Sequence, residues 1–231
     1  MCPVTSYVNR RGSCASAGQA LSIRLLNYSS DSFTHSSYCF YCIIGAGREH
    51  TDVQFPEDFA ENEVPEEYIS VYKQAGEDYD IPWTLLAAVH RVETVFSTME
   101  TLESPVGAVG HMQFMPCTFV GWDYPGCGGN GNTDIGEQEL TDPETINEYG
   151  GYGIDADGDG RADPYALEDA VYSAANFLAS HGAAGGELRR ALYQYNQADW
   201  YVDDILNYHN TYDEEVELVS LEENHLAEEG G

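Results

Sequence analysis

From Val64 onward the apolar positions of the chain fall three or four apart. Tyr68, Ile69, Val71, Tyr72 and Ala75 form one broad stripe, which predicts a helix that breaks at Gly76. A second helix is predicted to open at Ile81-Pro82-Trp83, because proline is tolerated at a first helical position. Trp83, Leu86, Val89 or His90, and Glu93 then recur at helical spacing, so a carboxylate shares the face of Trp83 and Leu86. Asp163-Pro164 reads as the start of another helix, with Leu167, Ala170, Val171, Ala174, Phe177 and Leu178 on one side and a stop at His181-Gly182. Gly186 to Asn196 and Trp200 to Tyr212 give two more, the last carrying Val202, Ile205, Leu206 and His209. Between Ser104 and Tyr152 neither period holds and glycine is dense, which predicts long irregular loops of the kind that carry function. No strand alternation is sustained, so the fold class is mainly α.

Composition divides the chain. Residues 1–50 hold four arginines against two acids, whereas residues 51–231 hold 38 acids and five bases. The first 50 residues have no sustained periodicity and read as a leader or disordered arm of unknown role; Cys39 and Cys42 there have C-x-x-C spacing without a second pair, a weak metal or redox signal. Residues 51–212 form the folded domain, and residues 213–231, with eight acids and no Lys or Arg, read as an acidic solvated tail. The whole chain of 231 residues carries a formal charge of −31, which repels nucleic acid instead of gathering it by counterion release. So much carboxylate and a single lysine, Lys73, also fit a salty or alkaline medium, in which self-repulsion is screened. The longest apolar run, residues 38–47, is too short for a membrane span, which takes about 20 residues.

One acid stands in apolar company. Glu93 has Val92, Val95 and Phe96 as neighbours, surroundings that disfavour its charged form and suit a proton donor to a leaving oxygen. It is followed by Thr94, then by Ser104-Pro-Val-Gly107-Ala-Val-Gly110-His-Met-Gln113-Phe-Met-Pro116, then by Tyr195-Asn196. In that order and spacing these residues resemble the lytic transglycosylase and goose-type lysozyme superfamily, closest to the lysozyme-like domain of cell-wall hydrolases of phages and conjugative elements. The similarity covers about residues 64–212. It implies a lysozyme-like catalytic domain that cleaves peptidoglycan glycan strands between N-acetylmuramic acid and N-acetylglucosamine outside the cell or at the wall, with Glu93 as the catalytic acid. It also implies substrate contacts from Ser104, Gly110, Gln113, Tyr195 and Asn196, the glycines letting backbone approach the sugar. His111 is expected in the cleft wall and His90 in packing or at the surface.

A hydrolase needs a second carboxylate, for which Glu100, Glu103 and Asp123 are candidates; a lytic transglycosylase closes an anhydro ring with one glutamate. The resemblance favours the muramidase slightly. A wall-binding module without catalysis is the rival class.

A second constellation is Asp155-Ala-Asp157-Gly-Asp159-Gly160-Arg161-Ala-Asp163, an EF-hand-like calcium loop with oxygen ligands from Asp155, Asp157, Asp159 and Asp163 and from the Arg161 carbonyl. Ala166 stands where a bidentate glutamate is usual, so either Glu168 or Asp169 supplies it or the site is weak. Structural calcium is thus the one expected cofactor, with no organic group. Cys117 and Cys127 are either a disulfide, which an extracellular enzyme permits, or two free thiols.

Overall fold

The structure is a computed structural model that describes residues 59–128 and 134–221. The arm of residues 1–50, with its C-x-x-C pair, and the last ten residues of the tail lie outside the described residues.

Strand β1 (Glu63–Pro65) leads through a short 3-10 turn into α1 (Ile69–Asp78). Gly76 does not break this helix. It lies buried inside it, and a Cβ there would meet the Ile81 carbonyl oxygen at 2.8 Å, so the glycine permits the close return of the chain into the next helix. Helix α2 (Trp83–Thr94) begins directly after Pro82, as the sequence predicts. Leu85, Leu86, Ala87, Ala88 and Val89 have no exposed surface, the all-round burial of a central helix. Each buried leucine contributes about 2 kcal/mol of transfer free energy, which makes this helix the mount for whatever it carries.

The stretch expected to be irregular contains three short helices, α3 (Pro116–Val120), α4 (Glu137–Thr141) and α5 (Pro143–Tyr149). Proline stands at the start of α3 and of α5, and Asp142 caps α5 by accepting from the amides of Glu144 and Thr145. A disulfide joins Cys117 to Cys127 and staples the following loop to α3. The next helix, α6 (Leu167–Ser180), starts three residues later than Asp163-Pro164 suggests. Then come α7 (Leu188–Tyr195) and α8 (Asp199–Glu215). Helices α1 and α8 pack on α2, and α7 packs on both α6 and α8.

The acidic tail does not begin at Asp213. Helix α8 continues through Glu215, and strand β2 (Glu217–Val219) pairs in parallel with β1, Val64 beside Leu218. Arg91 of α2 reinforces that closure. Its guanidinium donates to the carbonyls of Phe59 (2.9 Å), Ala60 (2.8 Å) and Glu63 (3.3 Å) and to the Tyr212 hydroxyl (3.1 Å), so the two ends of the domain are fastened to the central helix. Among the described residues no helix is long and apolar enough to cross a membrane.

Candidate active site

Glu93 is the last residue but one of α2 and is only 4% exposed. Its Oε1 accepts a hydrogen bond of 2.6 Å from the hydroxyl of Tyr201, a fully buried residue in the first turn of α8. Directly after the helix the backbone turns back on itself. Val95, Phe96 and Ser97 hold φ of 50°, 55° and 66°, three successive left-handed conformations without a glycine. Each costs on the order of 1–3 kcal/mol, so the surroundings must impose the turn. Phe96 is buried edge-on against Phe59, with centroids 5.1 Å apart, and the Thr94 hydroxyl donates to the His111 carbonyl at 2.9 Å.

That bond fastens the Glu93 end of α2 to the glycine-rich segment. Within the segment Ser104 Oγ accepts from the Ala108 amide at 2.8 Å, closing a turn that the Ser104 amide and the Ala108 carbonyl also span. Gly110 has φ of 78°, and a Cβ there would meet the Pro164 carbonyl oxygen at 1.9 Å. The requirement for glycine is therefore met by packing against Pro164, with no sugar needed to explain it. Gln113, buried and at φ of 50°, donates through Nε2 to the carbonyls of Leu102 and Gly110, both at 2.9 Å. Its amide nitrogen braces the loop from inside.

The far end of the motif meets the same place. Tyr195, at the end of α7, donates to the Met112 carbonyl at 2.7 Å, and its ring stands edge-on to Phe114 at 5.5 Å. Asn196 follows with no exposed surface. Glu93, residues 104–116 and the Tyr195-Asn196 pair thus converge through Thr94, His111 and Met112. Tyr201 was missed by sequence reasoning. Its ring belongs to the buried stripe of α8, and a tyrosine in such a stripe signals packing before chemistry.

The three candidate second carboxylates, Glu100, Glu103 and Asp123, are all exposed. Glu103 lines a cavity of about 420 Å³ beside the glycine-rich loop, together with Val109, Asp163, Pro164 and Tyr165.

In the acidic loop, one oxygen from each of Asp155, Asp157 and Asp159 lies within 4.8 Å of the others. Asp155 accepts from the amides of Gly158 and Gly160 at 2.9 and 3.0 Å, which folds the loop around that carboxylate. Arg161 turns its guanidinium to Glu137 at 2.6 Å, and Asp163 lies 3.8 Å from that guanidinium, outside the three-acid cluster. Of the two acids in the first turn of α6, Glu168 is exposed and Asp169 turns inward. The α6 start at Leu167 puts the buried face at Asp169, so of the two acids expected there Asp169, and not Glu168, meets the loop. Asp169 accepts from the amides of Ala156, Asp157 and Asp163 at 2.7, 3.3 and 2.8 Å, so it clasps both ends of the loop. Burial pushes its carboxyl above the ordinary value, against those amide bonds, which pull it down.

Residues 70–154 match the family model of the transglycosylase SLT domain. Over this stretch the chain is similar to that domain, a member of the lysozyme-like superfamily. The SLT match runs from α1 to the segment after α5 and takes in Glu93, the whole glycine-rich motif and the disulfide. The acidic loop, Tyr195, Asn196 and Tyr201 follow its end. No curated protein and no solved structure matches the chain. SLT domains act on cell-wall peptidoglycan.

Proposed function

We propose that the chain cleaves peptidoglycan glycan strands between N-acetylmuramic acid and N-acetylglucosamine, with Glu93 as the general acid. The observation that carries this reading is a single carboxylic acid buried at the end of the central helix, oriented by Tyr201 and fastened to the glycine-rich segment. An acid so placed can give its proton to the glycosidic oxygen as the bond to the leaving sugar breaks. Two fates then compete for the muramoyl carbon. Attack by water gives a muramidase, the outcome that the resemblance of the sequence favours; closure of the muramoyl 6-hydroxyl gives an anhydro end, the outcome that the matched transglycosylase domain favours. In the second route Glu93, now a carboxylate, takes the hydroxyl proton. The disulfide supports a place outside the cytoplasm, where such bonds persist and where the substrate lies. Replacing Glu93 by Gln keeps the shape and removes the titrating proton, so clearing of a purified wall suspension should fall by at least about a hundredfold. A wall-binding module without catalysis would instead sediment with the wall and clear nothing in either form.

Calcium is the proposed structural partner of the acidic loop. Three converging carboxylates are hard oxygen donors of the kind this ion selects, and Asp155, Asp157 and Asp159 would hold it, joined by the Arg161 carbonyl and Asp163. The ion would neutralise charge that the loop otherwise crowds together and brace the chain where it enters α6.

A further inference from the structure

A run of polar side chains near Glu93, Tyr72 and His90 buried and Ser97 and His111 half-buried, takes no part in the proton transfer described above. The Tyr72 hydroxyl lies 2.5 Å from Nδ1 of His90; Nε2 of His90 lies 2.6 Å from Ser97 Oγ; Ser97 Oγ lies 2.6 Å from Nδ1 of His111; and Nε2 of His111 lies 2.9 Å from the Tyr165 carbonyl oxygen. The last partner fixes the direction of all four bonds. A carbonyl only accepts, so His111 donates from Nε2 and, when neutral, accepts at Nδ1. Ser97 must then give its hydrogen to His111 and accept from His90 Nε2. Neutral His90 accepts in turn from Tyr72. One arrangement of hydrogens satisfies every member.

This run crosses five segments: α1, α2, the left-handed turn, the glycine-rich loop and the chain before α6. His90 lies one helical turn before Glu93, and Ser97 is the last residue of the strained turn after it. We propose that Ser97 and His111 are positioning residues for Glu93, closing a one-way hydrogen-bond relay from Tyr72 to the Tyr165 carbonyl that holds the end of α2 against the glycine-rich loop. The proposal rests on the reading of Glu93 as the catalytic acid.

The relay needs both imidazoles neutral. A charged His111 would carry a hydrogen on Nδ1 that faces the Ser97 hydroxyl. Ser97 would then turn its own hydrogen toward His90 Nε2, which reverses the run and requires His90 to carry its hydrogen on Nδ1 instead. The surroundings oppose that charge. Burial holds His90 well below the ordinary histidine range, with His111 adding to the effect, and burial lowers His111 against the Tyr165 carbonyl and Asp163, which raise it. The groups that face His90 are Tyr68 and Tyr72 from the α1 side, Phe96 and Ser97 from the turn, and His111 from the loop. Those that face His111 are His90, Ser97, Asp163 and Tyr165. The folded value of His90 lies below the unfolded one, so the stability its neutral form adds is fully present above about pH 6.5 and is lost as pH falls toward the folded value.

Two variants separate positioning from simple stability. Ser97→Ala removes both of the serine's relay bonds and keeps the strained backbone; Ser97→Gly removes the same bonds and relieves the strain, since glycine accepts a φ of 66°. Both should lose about tenfold in apparent kcat on purified peptidoglycan, with KM within about twofold, because the acid is misplaced and the substrate is not. Imidazole nitrogen NMR on the unmutated chain should find His90 and His111 neutral at pH 7, each with its hydrogen on Nε2. A neutral Nδ1–H form of either ring overturns the proposal, as does a Ser97→Gly protein with the parent's kcat. Failure of the catalytic reading looks different: Glu93→Gln would then clear walls as well as the parent.

Discussion

Glu93 accepts its hydrogen bond from a tyrosine 108 positions further along the chain, and that separation explains what the sequence could and could not reveal at the scale of single residues. The burial of Glu93 was legible because it lies in an apolar helical stripe, and its place beside the glycine-rich motif and the Tyr-Asn pair because those follow it in order. Tyr201 was not, since nothing local marks which buried tyrosine will meet a helix end across the fold. Ser97 was equally silent: a serine after a helix reads as an ordinary turn until His90 and His111 appear on either side of it. The tyrosine bears on rate. Tyr201→Phe keeps the packed ring and deletes the donor to a buried carboxyl, so kcat for wall cleavage should fall on the order of tenfold and the melting temperature should drop as well. An unchanged kcat would remove Tyr201 from the site.

At the scale of elements, long amphipathic segments were readable and short ones were not. Helices α2 and α6 run for three or more turns, and their apolar periods survive any reasonable window. Helices α3, α4 and α5 have five to seven residues, too few to show a period. Prolines at two of their starts, the Asp142 cap and the disulfide specify them instead. Gly76 misled for a related reason. Its backbone freedom suggests a stop, whereas the structure needs its missing side chain. The acidic loop was legible from its repeating aspartates, yet the residue that clasps it, Asp169, is chosen by where α6 begins. Calcium should raise the melting temperature of the chain, and Asp159→Asn should abolish most of that rise, as followed by thermal denaturation with the ion and with a chelator. Equal melting temperatures under both conditions would leave the loop as a clasped turn without a metal.

At the scale of the whole molecule, the proposed function makes charge the control on encounter with the wall and the central helix the mount of the acid. Forty acids against nine bases make the chain anionic everywhere outside its first segment, and anionic wall polymers repel it in dilute buffer. Added salt shortens the screening length, so the rate of clearing should rise between about 10 mM and several hundred millimolar salt, with the change in KM and not in kcat. A maximum in dilute buffer would contradict the encounter argument. The parallel pairing of β1 with β2 and the Arg91 fastening close the domain around α2, so Glu93 is held from both ends of the fold. The most direct test of that acid is mass analysis of the muropeptides released from purified walls by the parent chain and by Glu93→Gln. Parent products ending in muramic acid, in reducing or anhydro form, with none above background from the variant, are the predicted result; the same products from both proteins would contradict it.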